Sequence, residues 1–243
     1  MFDFFTKHKK PLFEGLCDIH NHLLPGIDDG SKNVAMSLQM LEGFKELGFT
    51  SMVPTPHVYH ELYPNTPSTI KKAFDTLTRE FSISDNIKFG SYGAEYMIDE
   101  VFMNNLKTSM PSLLLPSSYI LVEINFFGET QMLLEAGFTL QQHNITPILA
   151  HPERYHSINT TREYKELKNK GFYLQLNALS LLGHYGPQVK QKALQLLKAG
   201  LFDFVATDAH HPAHLKVLKN LSLTKKQAIQ WDAIREHQQA VFY

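Results

Sequence analysis

Residues 17–30 read "CDIHNHLLPGIDDG": a short apolar run ends in two histidines two positions apart, and a Pro-Gly turn then leads into paired aspartates. Side chains two apart on a strand share a face, so Asp18, His20 and His22 can point the same way. Imidazole is the commonest metal-ligating side chain near neutral pH, and a His-x-His pair at a strand end presents two nitrogens to one ion. Pro, Gly and Asp suit the turn that follows, which returns a carboxylate toward the imidazoles. Chemistry alone does not separate Asp28 from Asp29. Taken by itself, the stretch fits two buried core histidines and a solvated turn equally well.

The remainder of the chain tips the balance. Further strand candidates are "TSMVPT" (50–55), "IKFGSYGAEY" (87–96), "YILVEINF" (119–126), "TPILAH" (146–151), "FYLQLNA" (172–178) and "FDFVATDAH" (202–210), after a first strand over 15–20. Helical patterns lie between them. In 34–48, for example, Met36, Leu38, Leu41, Phe44 and Leu47 form an apolar stripe, and Gly48 suits the C-terminal cap. About seven strands, each followed by a helix, predict an α/β fold with a parallel sheet closed or nearly closed into a barrel; an open doubly wound sheet is the alternative. No repeat or linker divides the chain, so 1–243 reads as a single domain, with residues 1–14 as an N-terminal extension of unassigned role. A last helix is expected at roughly 224–239.

His20, His57, Glu95, Glu123, His151, Asp208 and His210 fall at or near the C-terminal ends of these strands. In a (β/α) barrel those ends converge on one face, where the βα loops build the active site. Glu123 sits among apolar neighbours and would need a cation or strong donors there. Histidine and carboxylate without cysteine suit Zn²⁺, Mn²⁺ or Fe, and the number of donors exceeds one ion, which points to two or three. Asp18 is placed to orient a ligand imidazole through its other nitrogen.

Composition bounds the partners. Lys and Arg total 23 against 24 Asp and Glu, a net charge of −1, so no overall field favours nucleic acid. No window approaches the roughly 20 apolar residues of a membrane helix. The N-terminus lacks the order of a secretory signal, and a cytoplasmic protein is expected. The single cysteine, Cys17, allows neither an intramolecular disulfide nor a thiolate-rich zinc site.

Together "DIHNHLLPGIDDG", "PTPH", "GAEY", "VEINF", "AHPERY" and "TDAH" resemble the PHP (polymerase and histidinol phosphatase) superfamily, and within it the manganese-dependent tyrosine-protein phosphatases of bacterial capsule biosynthesis. The resemblance runs from about Cys17 to about His211. It implies a distorted (β/α)7 barrel of PHP type with its active site at the C-terminal strand ends. The ligands it implies are His20, His22, Asp29, His57, Glu95, Glu123, His151, Asp208 and His210, so Asp29 is favoured over Asp28. Arg154 matches the catalytic arginine, and Asp208 and His210 would stand near the leaving group. The implied reaction is attack on tyrosyl phosphate by a metal-bridged hydroxide, with Mn²⁺ as cofactor and Fe or Zn as alternatives. The implied partner is the phosphotyrosine-bearing C-terminal tail of a bacterial tyrosine autokinase that regulates capsular or exopolysaccharide synthesis.

The chain departs from that pattern in one place. His211 stands where an asparagine is common, and no arginine follows nearby to hold phosphate, leaving Lys216 or Lys219 as replacements. Two other functions compete: a phosphoesterase for a small molecule such as histidinol phosphate, and a non-catalytic metal-binding domain. Thiol-based phosphatase chemistry needs an arginine six residues after the cysteine, and Leu23 stands there. Tyr59, Tyr63, Tyr96 and Tyr155 are candidates to stack on an aryl phosphate. His60, His156, His211 and His214 are candidates for the pocket mouth. His8, His143, His184 and His237 read as surface residues.

Overall fold

Two prolines shape the start of the sheet. Pro54 and Pro56 have no N–H to give, so the second expected strand is broken into β2 (Ser51–Met52) and β3 (His57–Val58), following β1 (Cys17–Asp18). Their carbonyls still accept, from Gly93 N–H at 2.9 Å and Glu95 N–H at 3.0 Å. The third expected strand is split to match, into β4 (Lys88–Phe89) and β5 (Glu95–Met97). The remaining strands are β6 (Tyr119–Glu123), β7 (Thr146–Ala150), β8 (Tyr173–Asn177) and β9 (Phe204–Ala206). The computed structural model describes residues 11–80, 87–128 and 130–242. His8 and the first ten residues of the N-terminal extension lie outside them.

All pairings are parallel, in the orders β1-β2-β4 and β3-β5-β6-β7-β8-β9. The two arcs meet across the chain's ends: Asp208 N–H donates to the His20 carbonyl at 2.8 Å, and His22 N–H to the Ala209 carbonyl at 3.1 Å. A parallel bridge between Asn21 and Ala209 completes the circuit. The result is a distorted barrel of seven staves, two of them broken, and the open-sheet alternative does not hold.

Around it run α1 (Val34–Leu47), α2 (Pro67–Glu80), α3 (Glu100–Leu106), α4 (Gln131–Gln142), α5 (Thr161–Asn169), α6 (Ala178–Leu182), α7 (Pro187–Lys198), α8 (Pro212–Leu218) and α9 (Lys225–Phe242). Asn33 caps the start of α1 by accepting from Met36 N–H, and Gly48 ends it at φ 94°, as its sequence position predicts. None of the described helices is long and apolar enough to cross a membrane.

Strand alternation divides the core in two. Ile120, Val122, Leu149, Leu174, Leu176 and Val205 pack outward against the helices. Leu121, Ile148, Phe204 and Ala206 fill the barrel with Cys17, Ile19 and Val53. The C-terminal helix closes the bottom. Gln238 in α9 exchanges hydrogen bonds with Val205 and also donates to the Cys17 carbonyl at 2.7 Å, while Phe242 packs on Tyr119 and Phe204. His237, expected at the surface, is half-buried and stacked on Phe204 in this plug. Trp231 anchors the helix by donating to the Leu12 carbonyl at 2.8 Å, with Phe13 at its edge.

Candidate metal centre

Three staves that fill the barrel with apolar side chains low down carry polar ones on the same face two residues later. Leu121 leads to Glu123, Tyr173 to Gln175 and Asn177, and Ala206 to Asp208. The nine residues expected as ligands, scattered from position 20 to 210, meet there. His20 Nε2 lies 3.1 Å from Glu95 Oε2 and 3.3 Å from Asp208 Oδ1, and His22 Nε2 lies 3.4 and 3.3 Å from the same oxygens. The two Nε2 atoms are 3.4 Å apart. Beside this group, His57 Nδ1 is 3.1 Å from both Glu95 Oε2 and Glu123 Oε1. His151 Nε2 is 2.9 Å from Glu95 Oε1. Nearer the surface, Asp29 Oδ1 is 3.5 Å from His57 Nε2 and 3.4 Å from His210 Nε2.

The donor set fits metal ions. His20 Nδ1 faces the Gln175 amide oxygen at 2.9 Å, and His22 Nδ1 faces Asp28 Oδ2 at 2.8 Å. Those acceptors place the imidazole protons on Nδ1 and leave both Nε2 lone pairs turned inward. Two lone pairs and two carboxylates thus crowd together with no donor among them. Glu95 Oε2 and His57 Nδ1 are buried and make no hydrogen bond among the described groups. Edges of 3.1–3.4 Å are those of a donor tetrahedron around an ion with bonds of about 2.0–2.1 Å. Among the described residues, three groups of donors lie close enough to share an ion: His20, His22, Glu95 and Asp208; His57, Glu95 and Glu123; and His22, Asp29, His57 and His210.

Without a metal, protons must fill this need. Burial alone would strip the proton from His20, but Glu95 and Asp208 outweigh it and hold its pKa up at about 9. His22 is raised in the same way, chiefly by Asp28 against burial. Burial opposes ionisation of Glu95 and Asp208, yet His20 and their other cationic neighbours keep both carboxyls well below the usual range. A metal bound to those Nε2 atoms would therefore displace protons near neutral pH, and apparent metal affinity would rise with pH through that range. Calorimetric titration of the metal-free protein near pH 7, in buffers of different ionisation heat, should show release of at least one proton per protein. Proton-neutral binding would contradict this arrangement.

The turn of the opening stretch separates its two aspartates. Asp28 points back into the wall, accepting from His22, from Gly30 N–H at 2.9 Å and from His57 N–H at 3.1 Å. Asp29 faces His57 and His210 from the rim, its carboxylate about half exposed. Gly30 is obligatory, because a Cβ there would sit 2.2 Å from the His22 carbonyl oxygen. Two site residues also hold left-handed backbone, His151 at φ 34° and Asp208 at φ 49°. Such conformations cost roughly 1–3 kcal/mol each and concentrate at functional sites.

Arg154 enters from a 3-10 turn, Pro152–Arg154. Its Nη1 donates to Asp208 Oδ2 at 3.0 Å, and its guanidinium lies between the Phe126 and Tyr185 rings, 4.6 and 4.2 Å from their centroids. Asn177 Nδ2 donates to the same Asp208 oxygen at 2.8 Å, leaving Oδ1 for the imidazoles. The turn is fastened by Glu153, whose buried Oε1 accepts from Asn177 N–H at 3.0 Å and Ser180 Oγ at 2.6 Å.

Several expectations need correction. Asp18 orients no imidazole: it accepts from His20 N–H at 3.1 Å and from Thr207 Oγ1, and burial pushes its carboxyl up to about 6. Gln175 orients the His20 imidazole instead, and Asn177 holds the Asp208 carboxylate. Their signal was present, as two amides two apart in an otherwise apolar strand. Tyr155 and Tyr96 are core residues, their hydroxyls bonded to the Ala150 carbonyl and to Leu113 N–H, whereas Tyr63 stacks on His57 at 5.3 Å and remains partly open. His211 caps α8, accepting from Ala213 N–H. Lys219 pairs with Glu46 of α1 at 2.6 Å and is no phosphate clamp.

Cys17 lies in β1 at the barrel bottom, and burial pushes its thiol up to about 12, which leaves no thiolate near neutral pH. Cys17→Ser is expected to keep more than about half of any hydrolytic activity, since no step uses a thiolate; loss of activity with the fold intact would bring thiol chemistry back.

Residues 16–226 match the family model described as capsular polysaccharide synthesis, CpsB/CapC. The tyrosine-protein phosphatase YwqE of Bacillus subtilis (strain 168) is 34% identical over 199 residues, covering 81% of this chain and 78% of that protein. The tyrosine-protein phosphatase CpsB of Streptococcus agalactiae serotype III is 27% identical over 202 residues, covering 81% and 83%. Among solved structures, one from a study of YwqE from Bacillus subtilis and CpsB from Streptococcus pneumoniae, described as metal-dependent tyrosine phosphatases, superposes with a TM-score of 0.72. Its sequence is 28% identical, and the match covers 92% of this chain and 95% of that one.

Proposed function

Because the chain belongs to the capsular polysaccharide synthesis CpsB/CapC family, we propose that it is a metal-dependent tyrosine-protein phosphatase, hydrolysing tyrosyl phosphate on a bacterial tyrosine kinase that regulates polysaccharide synthesis. The supporting observation is the convergence of inward-facing imidazole lone pairs and buried carboxylates beside Arg154. We assign the metal-holding role to His20, His22, Asp29, His57, Glu95, Glu123, His151, Asp208 and His210. The mixed imidazole and carboxylate donors suit Zn²⁺, Mn²⁺ or Fe, and the resemblance to the manganese-dependent phosphatases of capsule biosynthesis selects Mn²⁺ among them.

Divalent ions bound there supply Lewis-acid charge to the phosphoryl oxygens and lower the pKa of the attacking water. Arg154 receives the equatorial phosphoryl oxygens as charge shifts in the transition state. Its sandwich between Phe126 and Tyr185 fixes the guanidinium beforehand, so little reorganisation is needed. His210 Nδ1 faces the Asp208 carbonyl at 2.9 Å, which turns Nε2 toward the site. A tyrosyl oxygen, with a pKa of about 10, departs with less proton assistance than an alkoxide.

The test is to strip the protein with a chelator and follow turnover of a phosphotyrosine peptide. Activity should fall roughly a hundredfold or more and return with Mn²⁺ better than with Zn²⁺ or Fe²⁺. Full activity in the stripped protein would overturn the assignment.

A further inference from the structure

Phe127 is 80% exposed, the highest value among the described large apolar side chains, yet it is firmly held. Its N–H donates to Asn125 Oδ1 at 3.0 Å and Gly128 N–H to the Asn125 carbonyl at 2.9 Å, a turn that follows directly on β6. Its ring lies flat on His156, with centroids 4.6 Å apart and planes 2° from parallel. His156 N–H donates to the Phe126 carbonyl at 2.8 Å, so the loop after Glu123 is joined to the loop after Arg154. Phe126, the adjoining residue, lies against Arg154 and 6.0 Å from the His151 ring. The exposed stack is thus continuous with the residues assigned to the phosphoryl group.

We infer that Phe127 and His156 form an aromatic ledge that receives an apolar or aromatic side chain flanking the phosphotyrosine of a peptide substrate. The inference rests on the phosphatase reading above. Flat aromatic surface held out in water is unfavourable until covered, and a pre-stacked pair loses little freedom when it binds. The ledge is joined to Phe126 twice, by the peptide bond to Phe127 and by His156 N–H donating to the Phe126 carbonyl, while the Phe126 ring itself lies against Arg154. It therefore meets a neighbour of the phosphorylated residue, and its uncharged Phe127 face selects for apolar character.

The experiment compares two phosphotyrosine peptides that differ only in the residues either side of the phosphotyrosine, phenylalanine in one and alanine in the other. With the metal-loaded full-length protein, KM for the phenylalanine peptide should be about tenfold lower. Phe127→Ala should bring the two KM values together, and Phe127→Tyr should preserve the difference. Equal KM values in the wild type, or an unchanged difference in Phe127→Ala, would overturn the ledge while the phosphatase assignment stands. Failure of the wild type to hydrolyse either peptide would overturn both.

Discussion

Replacing Glu95 by glutamine is expected to lower turnover of a phosphotyrosine peptide by about a thousandfold or more, some 4 kcal/mol of barrier, and to remove at least one metal ion per protein. Glu95 belongs to both the His20–His22–Asp208 donor group and the His57–Glu123 group. Its two oxygens face His20, His22 and His57 on one side and His151 on the other. Glutamine keeps the shape but turns an anion shared by both groups into a neutral amide, whose nitrogen can bind no cation. The fold has no reason to fail, because the barrel filling lies below. Metal content by elemental analysis and kcat on the peptide check the result. Wild-type metal content with a rate within tenfold would refute the metal-holding role assigned to this carboxylate.

Arg154→Ala should cut kcat by roughly a hundred- to a thousandfold while leaving metal content near that of the wild type. Arg154 donates to the Asp208 oxygen that faces away from the imidazoles, and Asn177 still satisfies that oxygen when the arginine is gone. The loss therefore falls on the transition state and not on the ions. Arg154→Lys should recover only a small part of the rate. An ammonium lacks the planar fork and stacks less well on the Phe126 and Tyr185 rings that the guanidinium contacts. A lysine variant with full activity would mean that charge alone suffices. Metal loss in the alanine variant would mean that Arg154 acts by holding Asp208.

By itself the sequence determined the chemistry of the site and the order of its parts. Strand periodicity, the residue types at strand ends and the Pro-Gly-x-Asp-Asp-Gly turn are local properties, carried by neighbours within a few positions. His20, Glu123 and His151 could thus be picked out without knowing what they face. The split of the second and third staves was also written locally, in Pro54 and Pro56, but as missing donors and not as a hydrophobic pattern.

Tertiary structure alone decided who serves whom. Asp18 and Gln175 both lie near His20, but only the fold turns the amide oxygen to Nδ1 and the aspartate to Thr207. Asp28 and Asp29 are chemically identical and adjacent, and the return of the turn against His22 sends one into the wall and the other to the rim. The role of α9 as the barrel's plug rests on Gln238 reaching β1 and β9. Each of these outcomes depends on directional hydrogen bonds, reaching 155 positions between His20 and Gln175 and 29 between Asp28 and His57. Such directional contacts leave no periodic trace along the chain, whereas burial and strand alternation do.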